Sequence, residues 1–256
     1  IRTVRHARSR ARVAMSALDR VVQDLAPISL ADMDSSAALM SRVDRKYFIP
    51  RGLLAQLLPD GLSVLQIGEV RTFRYRTVYL DTPDFAFFRQ HVQRRRHRFK
   101  VRTRLYCDSG DSRLEVKSKG LRGLTVKQRR PHDPSRLGVL DRDGRAYVTS
   151  LIDRDAGELR PVLETDYRRT TLTDGHHRIT IDQDLESVSG ARRIPGPAEV
   201  LVETKSPNGA GALDRMLLRT GIRPHSVSKY CLAASLLYPQ LRGNDWARIR
   251  RRYWGV

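Results

Sequence analysis

Apolar and charged residues alternate along several short segments in the middle of the chain. In residues 99–105 every even position is cationic, and in residues 113–119 every odd position is charged. The same period of two recurs in residues 124–129, 178–182 and, less cleanly, 199–205. Because successive side chains of a β-strand point to opposite faces, each segment predicts a strand with one apolar face and one charged face.

Helical patterns are fewer and lie around these strands. Residues 50–58 begin with a proline, which helices accept in their first turn. Residues 83–92 and 211–219 also predict helices, and so do residues 226–238, with Ser226 as the expected N-cap and an apolar stripe behind it. Strands in the middle and helices around them predict an α+β domain.

The charge of the chain changes what the strand pattern implies. The 256 residues carry 48 Lys and Arg against 28 Asp and Glu, a net charge of +20. A solvated sheet face usually mixes Ser, Thr, Gln and Lys, whereas these strands carry Arg, Lys and Glu with little dilution. The pattern favours an antiparallel barrel with a charged lumen over an open sheet with its charged face in water. Such a lumen requires neutralisation, which a bound anion with a metal would supply.

Both ends of the chain are basic. Residues 1–30 carry six arginines against two aspartates, and residues 240–256 carry five arginines against one aspartate. We therefore divide the chain into a basic N-terminal arm or helix (1–30), one domain (31–238) and a basic C-terminal tail (239–256). The ends are either solvated or in contact with a polyanion, an anionic membrane surface or a membrane partner protein.

Several classes of protein are excluded by what the sequence lacks. It has no apolar run long enough to span a bilayer, no secretory signal in its first thirty residues, and no P-loop, GxSxG or HExxH motif. Cys107 and Cys231 are too few for a disulfide framework, which fits a reducing cytoplasm.

Specific nucleic-acid binding is not expected either. Aromatic residues make up only 7% of the chain, and no stacking platform is evident. The basic run at residues 94–98 is typical of a solvated hairpin tip or strand end. Carboxylates at Glu115, Asp182 and Glu203 interrupt the cations, which does not suit a phosphate-backbone groove. It suits a site that holds a divalent metal together with several phosphates.

Six short motifs carry a family resemblance. They are RVDRKY at 42–47, YRTVYLDT at 75–82, KVRTR at 100–104, LEVK at 114–117, VETK at 202–205 and SKY at 228–230. Their order and spacing resemble the VTC domain, the polyphosphate polymerase module of the vacuolar transporter chaperone complex and its bacterial relatives. That domain belongs to the CYTH-like triphosphate tunnel metalloenzymes. The resemblance covers roughly residues 30–238.

The resemblance implies a tunnel-shaped antiparallel barrel that transfers the γ-phosphate of ATP to a growing polyphosphate chain, with Mn²⁺ or Mg²⁺. The catalytic residues that it implies are Arg102, Arg104, Lys117 and Lys127. The substrate-binding residues are Lys46, Arg169, Arg178, Lys205 and Lys229. The expected metal ligands are Glu203 and Glu115. The terminal phosphate of the acceptor would be the nucleophile, so no side-chain nucleophile is needed.

The first motif departs from the wider superfamily. Its opening strand often carries Glu-x-Glu-x-Lys, whereas this chain has Arg42, Asp44 and Lys46 at those positions. The missing carboxylate weighs against triphosphate hydrolysis of the usual superfamily kind. Two alternatives to the polymerase stay open, a hydrolase of tripolyphosphate or nucleoside triphosphates and a non-enzymatic polyphosphate-binding module.

Overall fold

The structure is a computed structural model that describes residues 15–35, 43–119, 125–152, 154–207 and 209–256. The eleven strands in these residues are β1 (Ala26–Ile28), β2 (Val43–Ile49), β3 (Ser63–Leu65), β4 (Thr72–Asp81), β5 (Arg98–Tyr106), β6 (Ser112–Lys119), β7 (Thr125–Pro131), β8 (Arg160–Thr173), β9 (Arg178–Ser189), β10 (Arg192–Pro195) and β11 (Val200–Ser206). The eight α-helices are α1 (Ala17–Asp24), α2 (Leu30–Ser35), α3 (Arg51–Leu57), α4 (Ala86–Val92), α5 (Arg142–Thr149), α6 (Ala212–Arg219), α7 (Lys229–Leu237) and α8 (Ala247–Trp254). None of these helices is long and apolar enough to cross a membrane.

The strands form one sheet in the order β2-β11-β9-β8-β4-β5-β6-β7, and all neighbours on this path are antiparallel. The sheet curls into a half-barrel, which brings Lys117 on β6 within electrostatic reach of Glu203 on β11, five strands away in this order. In the described residues its edge strands β2 and β7 are not paired with each other. The predicted α+β fold with a charged lumen is confirmed, in the form of a curled sheet.

The pairing register places the charged positions of successive strands side by side on the concave face. Lys46 lies opposite Glu203, and Arg102 lies opposite Glu115. Apolar side chains from the alternate positions, such as Val101 on β5, are buried on the convex face. There they pack against helices in two clusters, one of which includes Val148 of α5. The alternation seen in the sequence therefore separates an apolar convex face from a concave face that carries the charged residues.

Two helices, α4 and α7, are fastened to the sheet by one buried carboxylate. Asp81 accepts hydrogen bonds from the backbone N–H groups of Phe87 (2.9 Å) and Phe88 (3.0 Å), and the Tyr230 hydroxyl donates to it as well. Helix α7 is capped by Ser228 and not, as predicted, by Ser226. All but the first residue of α7 are buried, which is typical of a helix inside a core.

The two basic ends differ in what the structure shows of them. Residues 1–14 of the predicted N-terminal arm lie outside the described residues. Residues 239–256, predicted as a tail, fold onto the domain through the buried side chains of Trp246 and Ile249. The ring of Tyr253 packs 4.5 Å from that of Phe48, and the Trp254 indole donates to the Pro195 carbonyl oxygen (2.9 Å).

Candidate functional site

A cavity of about 720 Å³ lies on the concave face of the sheet. The described residues that line it include twelve cations and three carboxylates. The cations are Lys46, Arg94, Arg98, Lys100, Arg102, Arg104, Lys117, Lys119, Lys127, Arg169, Lys205 and Lys229. The carboxylates are Asp44, Glu203 and Asp245. So large an excess of positive charge in an enclosed space favours a polyanion as ligand.

The cavity brings together nearly all the residues predicted from the sequence. The predicted residues that line it are Arg102, Arg104, Lys117, Lys127, Lys46, Arg169, Lys205, Lys229 and Glu203. Glu115 lies beneath the lining, fully buried. Arg178 shares the concave face but does not line the cavity, because its guanidinium donates to the Met33 carbonyl oxygen (2.6 Å) and to Asp34 (3.3 Å).

Glu115 compensates one group of these cations. Its carboxylate pairs with the Arg102 guanidinium, whose Nε donates over 2.6 Å, and with the Lys127 ammonium. Arg104 Nη1 lies 3.9 Å from the same carboxylate. Burial opposes the ionisation of Glu115, but the three cations outweigh it and hold its pKa far below the ordinary range. A carboxylate enclosed in this way orients the cations above it and has little capacity left for a metal.

Asp182 has the same role for a second group of cations. It accepts two hydrogen bonds from Arg169, over 2.6 Å from Nε and 2.8 Å from Nη2, and it pairs with the Lys229 ammonium. Arg169 comes from β8 and Lys229 from the first turn of α7, so this carboxylate ties the helix to the cavity wall. A bidentate pair fixes the plane of the guanidinium and leaves its outer edge free for another anion.

Tyrosine rings lie beneath the arginines. The Arg169 guanidinium carbon is 5.3 Å from the ring centre of Tyr167 and 5.4 Å from that of Tyr75, and these two rings are stacked. The Arg104 guanidinium lies 5.5 Å from Tyr75, and its Nε donates to Thr77 Oγ1 (3.1 Å). Cation–π contacts of this kind hold desolvated guanidinium groups in place. The alternating pattern of the strands did not reveal this support of the arginines by tyrosines.

Two carboxylates of the lining lie near each other on neighbouring strands. Asp44 on β2 is opposite Lys205 in the register, and Glu203 on β11 is opposite Lys46. Burial raises the pKa of Asp44, and so does the negative charge of Glu203. Because two nearby carboxylates repel each other, a divalent cation between them would be stabilising. This pair fits a metal ion that takes its remaining ligands from phosphates and water, whereas Glu115 does not.

Among the described residues of the lining, neither the thiol nor the imidazole is suited to nucleophilic catalysis near pH 7. Burial raises the pKa of the Cys231 thiol, which keeps it protonated. Burial and the charge of Lys100 lower the pKa of His91 to about 3, so this imidazole is neutral near pH 7. What the lining offers is a set of oriented cations, which bind phosphate oxygens and stabilise negative charge.

Residues 41–238 match a family model described as the VTC domain. The chain belongs to the VTC domain family. The matched segment contains every cavity-lining residue except Asp245 and Trp246. Membership confirms the resemblance predicted from the six motifs, and it supports a function on triphosphates within the cavity. No curated protein sequence matches the chain.

Solved structures with a similar fold include two described as putative adenylate or adenylyl cyclases. One, from Bacillus halodurans, is 13% identical with a TM-score of 0.49 and covers 78% of this chain and 98% of its own. The other, from Hippeastrum, is described as having a dominant triphosphatase activity; it is 16% identical with a TM-score of 0.46, covering 76% and 96%. A Pyrococcus horikoshii protein is 14% identical with a TM-score of 0.47, covering 76% and 96%. These likenesses to the VTC domain concern the fold alone.

Sequence reasoning missed part of the cavity wall in this VTC domain. Lys100 and Lys119 belong to the alternating strands and could have been included on that signal. The predicted solvated run at residues 94–98 instead supplies Arg94 and Arg98 to the cavity. Asp245 pairs with Arg94 at the exposed rim (3.4 Å), and nothing in the sequence pattern links these two distant residues.

One further regularity of this VTC domain is visible in the printed sequence. The chain has seven lysines and forty-one arginines, and all seven lysines line the cavity. Every other cation of the chain is an arginine. Lysine is a compact charge whose pKa shifts readily when it is buried, whereas arginine stays charged. The lysines therefore mark the cavity in this sequence.

Three of these lysines form a row across neighbouring strands. Lys117 on β6 lies opposite Lys100 on β5 and opposite Lys127 on β7. Like charges directly opposite on a sheet are destabilising. Burial, together with the charge of Arg102, lowers the pKa of Lys117 to about 6. Burial also lowers the pKa of Lys127, to about 8, although Glu115 opposes this shift.

The lysine row predicts that binding of a polyanion takes up protons. Phosphates beside Lys117 and Lys127 would raise their pKa values again, so both amines would gain protons on binding. We expect the affinity for tripolyphosphate to fall about tenfold between pH 7 and 9, although the ligand itself only becomes more negative in that range. Calorimetry in buffers with different ionisation enthalpies would measure the uptake directly. Wild type should take up more protons than K117M or K127M, and equal uptake in all three proteins would contradict the prediction.

Proposed function

We propose that this chain transfers the γ-phosphate of ATP to the end of a polyphosphate chain, with Mn²⁺ or Mg²⁺ as the metal. The observation that carries the proposal is the excess of positive charge in the cavity. Every lysine is expected to be protonated when a polyanion is bound. The twelve cations then exceed the carboxylates by seven, with the buried Glu115 and Asp182 counted among the carboxylates. A nucleoside triphosphate carries about four negative charges. The surplus supports a second polyanion beside the first.

The side chains of the chain would act by position and charge. Phosphoryl transfer requires little covalent chemistry from a protein, and catalysis comes from alignment and electrostatic stabilisation. Arg102 and Arg104 on β5 and Arg169 on β8 present guanidinium groups whose planes are fixed by carboxylates and tyrosines. These groups would hold the donor phosphates. The lysine row would stabilise the charge that moves from donor to acceptor, and the acceptor's terminal phosphate would attack.

The metal would be held by Asp44 and Glu203. When bound, a divalent ion would neutralise part of the charge of the phosphates. Lys46 and Lys205 lie 3.6 Å from Glu203, and they hold its pKa below the ordinary value although burial opposes this. The Glu203 carboxylate is therefore ionised throughout the neutral range.

The experiment that tests the proposal is incubation of the purified chain with ATP and Mn²⁺, and separately with Mg²⁺. The products are separated on a polyphosphate-staining gel, and a parallel sample is digested with polyphosphatase. A ladder that digestion removes is the expected result. Two control samples, one with a metal chelator and one without ATP, should show no ladder. Released orthophosphate without a ladder would favour the hydrolase. Salt-dependent polyphosphate binding without ATP consumption would favour the binding module.

The setting that we propose is the cytoplasm, with an anionic membrane surface or a membrane partner protein as the further contact. The support for such a contact is the exposed cationic face of α8. Arg248, Arg251 and Arg252 are exposed on this helix, while Ile249 is buried against the domain. Clustered cations on an exposed face are attracted to anionic lipid.

A further inference from the structure

The confinement of lysine to the cavity has a consequence for covalent modification. Reagents that acylate amines find all their side-chain targets in this chain inside one phosphate-binding space. A modification that removes a lysine charge would therefore act on the cavity directly. Which of the seven amines reacts depends on its partners and on the local field.

Lys100 has no compensating carboxylate. In the described part of the chain its ammonium group has no carboxylate within ion-pairing distance, as is also true of Lys117 and Lys119, whereas the other four lysines are each paired with one. Glu203 acts electrostatically on Lys117, but no carboxylate is among the main charges that act on Lys100. The Cys231 thiol favours the protonated form of Lys100, whereas the positive charges of Lys46, Arg102 and Arg98 oppose it. Lys100 lies half-buried in the cavity wall on β5.

This environment makes Lys100 a nucleophile. Burial, reinforced by the neighbouring cations, lowers the pKa of Lys100 below the ordinary lysine value. A desolvated amine beside other cations has a larger unprotonated fraction at neutral pH, and only that form attacks carbonyl carbon.

We propose that Lys100 is a site of acylation by acyl phosphates, small anions that the cavity draws in by their phosphate group. The phosphate would bind the cations next to Lys100, in the way inferred above for the proposed substrates, so the inference rests on the polyanion-binding part of the proposed function. Binding would hold the acyl carbon near the amine, so the reaction would become effectively unimolecular and faster.

The chemical step balances without a redox partner. The lone pair of Lys100 Nζ attacks the acyl carbon and forms a C–N bond. The bond between that carbon and the phosphate oxygen breaks, and inorganic phosphate leaves with the electron pair. The proton of the amine passes to water. The product is an uncharged amide, so the cavity loses one positive charge and the affinity for polyanions falls.

The experiment measures acylation of the purified chain by acetyl phosphate, followed by peptide mass spectrometry over time. Since no lysine lies outside the cavity, the substitution R168K introduces one on the outer surface as an internal reference. Arg168 does not line the cavity and pairs with Asp184 in solvent. We expect Lys100 to be acetylated at least about tenfold faster than this reference lysine. Saturating tripolyphosphate should slow the reaction at Lys100 about tenfold and leave the reference unchanged.

An uncharged acetyl donor separates the binding of the donor through its phosphate from the reactivity of the Lys100 amine. With acetic acid N-hydroxysuccinimide ester the preference for Lys100 over the reference lysine should shrink, because no phosphate guides the donor. Equal rates at both lysines with acetyl phosphate, or no protection by tripolyphosphate in a chain that binds it, would overturn the inference alone. If wild type bound no tripolyphosphate, the proposed function and the inference would both be wrong. The variant K100R should resist acetylation at that position while the reference lysine still reacts.

Discussion

Replacing Arg102 with alanine is expected to lower the rate of the proposed polyphosphate synthesis about a thousand-fold, since removal of one preorganised donor from an active site costs about two to three orders of magnitude. Arg102 is 11% exposed, and Glu115 fixes the plane of its guanidinium. In the proposed reaction Arg102 and Arg104, which both line the cavity, would stabilise the charge of the transferred phosphate. The effect should appear mainly in kcat, measured at saturating ATP with Mn²⁺ on the polyphosphate gel.

Two variants make this result specific. R102K keeps the positive charge but loses the planar fork, and we expect it to recover only part of the rate, about tenfold above R102A. R168A removes an arginine of the outer surface, and its rate should equal that of the wild type. If R102A retained wild-type turnover with an unchanged fold, Arg102 would have no part in the reaction.

Replacing Glu115 with glutamine is expected to destabilise the fold by about 3–5 kcal/mol, the usual cost of removing one partner from a buried ion pair. Glu115 is fully buried, and it compensates Arg102, Arg104 and Lys127 together. Without it three cations face one another in a desolvated space. Urea unfolding monitored by circular dichroism would measure the loss, with E186Q as the control. Glu186 pairs with Arg193 on the surface, where a pair is worth about 0–1 kcal/mol.

The same variant separates a charge effect from a packing effect. Tripolyphosphate brings negative charge to the cations that E115Q leaves uncompensated, so it should raise the Tm of E115Q more than that of the wild type. Equal shifts in the two proteins would contradict this account. The pH dependence has a fixed sign as well. Because the pKa of Glu115 is lowered in the folded state from an ordinary value of 4.5, its stabilisation is present above that pH and is lost on acidification.

The strands and their charged face could be predicted from sequence because the cause is local. A period of two in residues 99–105 or 113–119 places alternate side chains on opposite faces whatever the rest of the chain does. The helices predicted over residues 50–58, 83–92, 211–219 and 226–238 are present as α3, α4, α6 and α7, with shifted ends. A helix cap depends on a single hydrogen bond, which residue types alone do not determine. Ser226 was therefore predicted as the N-cap of α7, whereas Ser228 has that role.

The missed features are contacts between residues far apart in the chain. Asp81 holds Tyr230 across 149 positions, and no periodic pattern reports such a bond. Arg178 has the alternation of a cavity residue, but α2 engages it through Met33. The scarcity of lysine could be seen in the sequence, which has only seven lysines against forty-one arginines. The sequence could not show that the lysines lie together, because this depends on the curl of the sheet. The curl brings the lysine-bearing elements to one cavity, namely β2, β5, β6, β7, β11 and α7.

The C-terminal residues show that the unit shared within the family is smaller than the unit that folds here. The family match ends at residue 238, yet Trp246 donates to the Ser226 carbonyl oxygen (3.2 Å) and packs on Phe88 (5.7 Å). A polypeptide cut at the family boundary would leave an apolar strip around Phe48 and Phe88 open to water and would tend to self-associate. A relative with another C-terminal extension would need its own cover for that strip. Because Asp245 and Trp246 of this segment line the cavity, a different C-terminal segment would change the mouth of the cavity without changing its cationic strands.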